Sequence, residues 1–246
     1  MVVSGTQITQ TQIESYLFQA ANILRGPVDA SDFKTYIFPL LFFKRLCDVY
    51  DEEIRIAISD HDEAFEEDHR YRIPEGCHWA DIRRVSVNIG TRLQHALKQI
   101  ERANPVLNGI FGDAAWGNKE RLPDSLLRDL IEHFSSENLS RSRVEPDILG
   151  RAYEFLIKRF ADLTNTPRSV VALMIDILNP QSTDTVYDPA CGTGGMLIEV
   201  IHHVQEAGQD VRNLYGRLFG QEKNLTTSGI ARMNLLIHEV EDFRIE

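Results

Sequence analysis

Residues 185–196, Thr-Val-Tyr-Asp-Pro-Ala-Cys-Gly-Thr-Gly-Gly-Met, constrain this chain more than any other stretch. A short β-branched and aromatic run ends on Asp188 and Pro189, glycines follow at 192, 194 and 195, and helical apolar spacing takes over at 196–204. The unit reads as strand, loop, helix. Glycines there allow backbone torsions closed to other residues and let a ligand lie against the main chain, while the following helix offers unpaired N–H groups at its start. This is a cofactor cradle.

Three ligands compete for it. A dinucleotide fingerprint wants a small residue three positions after Gly194, and Leu197 stands there. A phosphate loop needs Lys followed by Ser or Thr after its last glycine, but the chain continues into Met196 and Leu197. An acid closing the strand before a glycine loop, with a second acid closing the next strand, suits a ligand with an ammonium group and a ribose but no phosphate. S-adenosyl-L-methionine is such a ligand. Asp188 is the first acid. Residues 214–220 read as the next strand, and Glu222 stands at its carboxyl end, where open α/β sheets bind ligands. The bland alternative for Glu222 is an ordinary exposed strand-end acid.

The string at 188–197, Asp-Pro-Ala-Cys-Gly-Thr-Gly-Gly-Met-Leu, resembles the cofactor loop of adenine-specific DNA methyltransferases, above all that of the modification subunit of type I restriction-modification systems. Thr166-Pro167-Arg168-Ser169-Val170-Val171 resembles the family's segment before the first strand. Leu40-Leu41-Phe42-Phe43-Lys44-Arg45-Leu46 resembles its N-terminal helical domain. The resemblance implies an N-terminal helical domain, 1–140, followed at 141–246 by the first part of an S-adenosylmethionine-dependent methyltransferase (Rossmann-like) fold. It implies cofactor binding by Asn165, Thr166, Pro167, Arg168, Asp188, Ala190, Gly192, Thr193, Gly194, Gly195 and Glu222, with the turn at Thr166 near the methionine end. The implied partners are a specificity subunit, a second modification subunit and a restriction subunit, with double-stranded DNA held through the complex. Residues Leu163, Thr164 and Asn165 depart from the family's Gly or Gln with paired aromatics before Thr-Pro.

A chain of 246 residues, 43% hydrophobic and 26% charged, has room for two modest globular domains. Its net charge of -11 argues against tight DNA binding by this chain alone, because neutralising phosphates needs a basic surface. The first eleven residues are polar and carry no secretory signal, so a cytoplasmic location is expected. The longest apolar run, 36–43, falls far short of the roughly twenty residues that span a bilayer. Cys47, Cys77 and Cys191 are too scattered for a disulfide framework or a zinc cluster, and Cys191 reads as structural.

Along the first half, apolar spacing predicts a helix over 9–24 and a long one from Phe33 to Ile58, capped by Ser31 or Asp32 and bent near Pro39. Lys44 and Arg45 interrupt that helix as either a solvated edge or a partner contact. The acidic run 60–68 reads as a solvated helix end, and 71–79 as an extended surface arm. Two further stripes follow, one through Val85, Ile89, Leu93, Leu97 and Ile100, the other through Leu126, Leu127, Leu130, Ile131 and Phe134 with Asp124 as its cap. The loop 109–117 between them reads as folded back on its own core through Phe111 and Trp116. A domain boundary is expected over 135–143. Beyond it a helix opens at Pro146, and a second is capped by Thr166 and begun by Pro167, with Val170, Val171, Met174, Ile177 and Leu178 as its inner face. A last helix holds Ile230, Met233 and Asn234, and the third and later strands are expected to be absent.

Methylating the exocyclic amine of adenine requires a flipped base whose weakly nucleophilic nitrogen is held in line with the methyl donor. In the resembled family an Asn (or Asp)-Pro-Pro-aromatic motif does this, and it does not occur in these 246 residues. The expectation is therefore a cofactor-binding portion of an adenine methyltransferase that is inactive by itself. The rival is a non-catalytic interaction module that docks on specificity or modification subunits.

Overall fold

The structure is a computed structural model that describes residues 7–29, 32–61, 63, 65, 68–160, 166–240 and 242–246. The contacts divide it into two compact units, up to Ile148 and from Leu149 onward.

Helices α1 (Gln10–Leu24), α2 (Phe33–His61), α3 (Trp79–Arg83), α4 (Ile89–Ala103) and α5 (Asp124–Ser135) build the first unit. Thr9 caps α1 through a reciprocal pairing with Gln12, and the helix buries Ile13, Leu17, Ala20 and Leu24. Helix α2 stays helical through Pro39. Ser31, one of its two expected caps, lies outside the described residues, as does part of the acidic run after His61.

Expectations for several charged residues and for the segment before α3 are corrected. Lys44 and Arg45 are neither a solvated edge nor a partner contact: both are buried. Lys44 pairs with Asp48 and donates to the Glu137 carbonyl at 3.0 Å, while Arg45 donates to the carbonyls of Leu139 and Val144. Asp48 accepts from Leu139 N–H at 2.7 Å, and Glu52 accepts from the N–H groups of Arg141 and Ser142. The stretch 135–143 is therefore stitched to α2, because a segment without helix or strand must find partners for its buried backbone groups elsewhere. The 71–79 segment forms no strand, and its first six residues are exposed or half-buried, but its end is no free arm: Cys77 and Trp79 are buried, with Trp79 against Phe43 and Phe134. Asp124 does not cap its own helix. Its carboxylate accepts from the N–H groups of Asn88 and Ile89 and so caps α4. The loop 109–117 does fold back, burying Phe111 and Trp116 against Phe42 and Tyr36.

The second unit holds most of α6 (Pro146–Phe160), then α7 (Arg168–Leu178), β1 (Val186–Asp188), α8 (Gly195–Glu206), β2 (Leu218–Gly220), α9 (Leu225–Ile237) and β3 (Arg244–Ile245). The strands form a parallel sheet in the order β1-β2-β3, with Asp188 opposite Gly220 and Gly220 opposite Ile245. The third strand, expected to be absent, is thus present as Arg244–Ile245. Its pairing with β2 is non-local and leaves no local signal in the sequence. The expected strand over 214–220 is shorter than read, since 211–214 is a 3-10 turn and Gly216 has a positive φ of 73°. Leu197, Ile198, Val204, Leu214, Leu218 and Leu235 form the core.

Helix α7 departs most from expectation. Thr166 makes no capping hydrogen bond, and Pro167 occupies the cap position. Only Val171 and Ile175 are buried, whereas Leu173, Ile177 and Leu178 are 57%, 74% and 70% exposed. A helix that is apolar on every side gives periodicity nothing with which to choose a face. Among the described residues no helix is long and apolar enough to cross a membrane.

Candidate functional site

The three-residue strand β1 delivers Asp188 to its carboxyl end, and the chain turns there at once. The Asp188 carboxylate accepts from Ala190 N–H at 3.0 Å, Cys191 N–H reaches the Gln221 carbonyl at 2.9 Å, and Gly194 N–H returns to the Cys191 carbonyl at 2.8 Å. Gly192 and Gly194 take positive φ, 55° and 81°, which is why these two positions are glycine. Gly194 then opens α8.

The loop borders a cleft of about 170 Å³ lined by Thr166, Arg168, Asp188, Ala190, Gly192, Thr193 and Gly195 among the expected residues. Pro167 precedes α7 beside them, and Gly194 sits behind the loop against α9, where a Cβ would lie 3.5 Å from the Ala231 carbonyl oxygen. Asn165 lies outside the described residues, together with Leu163 and Thr164. Glu222 is half-buried and does not line the cleft. It stands two residues beyond the end of β2, its carboxylate accepts from Asn224 N–H at 2.7 Å, and its own N–H donates to the Glu246 carbonyl. The register that sets Asp188 opposite Gly220 brings both acids to one end of the sheet.

Several lining residues escaped sequence reasoning: Glu154 and Ile157 on α6, Met196 and Glu199 on α8, and Asn234 on α9. Arg168 is spoken for by an ion pair with Glu154. Glu154 sits beside the fully buried Tyr153, whose hydroxyl donates to the Ile230 carbonyl at 3.2 Å. The sequence signal was an acid inside the apolar run of α6. Three carboxylates, Glu154, Asp188 and Glu199, against one guanidinium give the lining a net negative character that favours a cationic ligand.

Cys191 also lines the cleft, and its thiol is pushed up to about 11 by burial, with the Asp188 and Glu222 carboxylates adding to the shift. It stays protonated at neutral pH and is a poor nucleophile. Its work is packing: a Cβ on Gly220 would stand 2.9 Å from its sulfur and 2.6 Å from Ile245 Cδ1, so the loop presses on β2 where no side chain fits. Among the described residues no cluster of His, Cys, Asp and Glu is placed to hold a metal ion.

Comparison with known proteins agrees with this architecture. Residues 13–134 match the HsdM N-terminal domain, and residues 144–246 match the N-6 DNA Methylase family. The chain is 25% identical to the type I restriction enzyme MjaIX methylase subunit of Methanocaldococcus jannaschii over 96% of its own length and 47% of that protein's. It is 29% identical to the HindI methylase subunit of Haemophilus influenzae over 69% of this chain and 43% of the relative. The chain thus spans about half the length of the curated relatives it matches. A type I restriction-modification methyltransferase subunit from Streptococcus thermophilus shares the fold, with a TM-score of 0.78 at 23% identity, over 97% of this chain and 58% of that one. With an HsdM N-terminal domain leading into an N-6 DNA methylase segment that carries the glycine loop, the chain belongs to the methylase-subunit family of type I restriction enzymes.

Proposed function

We propose that this chain binds S-adenosyl-L-methionine and forms the cofactor-holding portion of an adenine-specific modification subunit. The observation that carries the proposal is the shared end of β1 and β2: a glycine loop with two left-handed residues, flanked by Asp188 and Glu222. The residues fit the ligand. Gly192 and Gly195 have open space where a Cβ would be, which leaves the backbone approachable, and the negative lining complements a sulfonium and an ammonium group. Glu222 keeps one oxygen on Asn224 N–H and offers the other to a ribose hydroxyl. Asp188, Ala190, Gly192, Thr193, Gly194 and Gly195 line or shape the wall of the site. Thr166, Pro167 and Arg168 close the side toward α7, and Asn165 belongs to the same proposed set of cofactor residues. When bound, the cofactor supplies an electrophilic methyl group. The chain's residues hold and orient it.

Titrating S-adenosyl-L-methionine into the chain by calorimetry tests this. Charge-assisted hydrogen bonds are worth roughly 1.5–3 kcal/mol, so Glu222→Ala is expected to weaken binding about ten- to hundred-fold. Asp188→Ala is expected to do at least as much, since it also removes the acceptor for Ala190 N–H. Affinity unchanged in both variants overturns the assignment.

Transfer to adenine in DNA is the parent reaction. No Asn-Pro-Pro-aromatic motif occurs in these residues, so we expect no radiolabelled methyl incorporation into duplex DNA by this chain alone. The net charge of -11 supports contact with DNA through a complex that includes a specificity subunit, a second modification subunit and a restriction subunit. The exposed apolar side of α7 favours a second reading, an interaction module without catalysis. Partner association by a chain that binds no S-adenosyl-L-methionine is the result that selects it.

A further inference from the structure

Asn234 is the fully buried polar residue of α9, set among Ala231, Met233 and Leu235, and half of its amide lacks a partner. Its Nδ2 donates to the Thr193 carbonyl at 3.1 Å, while its Oδ1 is buried with no hydrogen-bond partner among the described residues. The residue also lines the cleft. A buried acceptor left unmade costs stability, and a leucine of similar size fills such a place without that cost, so packing does not account for the amide.

What the amide does is local to the loop. Thr193 stands between Gly192 and Gly194, both at positive φ, where glycine leaves the intervening peptides little intrinsic preference for one orientation. Ala231, three residues before Asn234 and so on the same side of α9, meets the loop at Gly194. Donation from Asn234 turns the Thr193 carbonyl toward α9. Gly195 and Met196, whose N–H groups open α8, are then left to line the cleft without a carbonyl oxygen competing there.

We propose that Asn234 is a positioning residue for S-adenosyl-L-methionine: its amide clamps the Thr193 carbonyl and holds the glycine loop in the shape that admits the ligand. This rests on the assignment of the cleft as the S-adenosyl-L-methionine site. Calorimetric titration of S-adenosyl-L-methionine into the whole 246-residue chain, beside thermal unfolding, tests it. Asn234→Leu removes the orphaned oxygen and the donor together, and is expected to unfold at the wild-type temperature or above it while binding at least tenfold more weakly. A purely structural asparagine gives the opposite pattern. Asn234→Asp supplies a donor only when protonated, and burial keeps that carboxyl protonated to higher pH than usual. Its affinity relative to wild type is therefore expected to be near one at pH 5.5 and to fall at least tenfold by pH 8. Wild-type affinity in a folded Asn234→Leu, or an Asn234→Asp ratio that does not change with pH, overturns the proposal and leaves the cleft assignment standing. A wild-type chain that binds no S-adenosyl-L-methionine overturns both.

Discussion

Replacing Gly90 with alanine is expected to destabilise the helical unit by about 3 kcal/mol or more, the usual upper range for forcing atoms into a packed core. Gly90 is the second residue of α4, where helix propensity alone makes alanine about 1 kcal/mol better than glycine. The added Cβ, however, falls 1.8 Å from the Trp116 carbonyl oxygen, 2.7 Å from its carbonyl carbon and 3.0 Å from Leu127 Cδ1. Two of these atoms are backbone and cannot rotate away, so either α4 or the 109–117 loop must shift. That loop is held by Trp116, buried edge-on against Tyr36 at 5.3 Å. Thermal unfolding of the variant should show a fall of roughly 6–12 °C for a chain of this size. An unchanged or higher midpoint would falsify the tight contact.

The second large effect is expected at Lys44. Substituting methionine keeps the stem and deletes the ammonium, leaving Asp48 buried without its counter-ion at a cost of about 3–5 kcal/mol. Burial already holds the Asp48 carboxyl above the usual carboxylate range, with Lys44 pulling the other way. In Lys44→Met only the upward influences gain, so the folded pKa rises further above the unfolded one. A group raised in this way contributes fully below its unfolded value, near 4, and loses stability as pH climbs through its folded value. The deficit of the variant relative to wild type is therefore smallest near pH 4 and largest at neutral pH. Urea unfolding at the two pH values measures it. Adding Asp48→Asn removes the charge and retains an acceptor for Leu139 N–H, so the double variant should recover more than half of the loss at pH 7. A deficit that does not change with pH, or no recovery in the double variant, contradicts a buried charge as the cause.

These two positions mark the limit of what residues along a chain reveal. The cofactor loop was legible because its chemistry is local: glycines at 192 and 194, an acid at 188 and an apolar helix after them suffice to specify strand, left-handed loop and helix. Helices α1, α4 and α5 were legible for a related reason, since one apolar stripe at helical period names both the element and its inner face, although the stripe read from Val85 begins before α4 does at Ile89. Helix α7 was legible as a helix and illegible as a surface. Its apolar residues surround it, and only packing by α8 selected Val171 and Ile175.

Polar residues were the harder class. Lys44, Arg45, Asp48 and Glu52 look like a charged helix face, yet they satisfy the backbone of residues 137–144, some ninety positions away in sequence. Asp124 looks like the cap of its own helix and serves α4 instead. Glu154 and Asn234 reach the cleft from α6 and α9, helices whose sequences advertise only a core. By itself, then, the sequence determined most of the helices, the first strand and the cradle loop, because each follows from contacts within about ten residues, and the loop carried the resemblance to the family. Only the tertiary structure decided which buried polar groups pair, which face of α7 is covered, and that a third strand joins β2. Those outcomes depend on backbone donors and acceptors that every residue carries alike, so only their meeting in space distinguishes them.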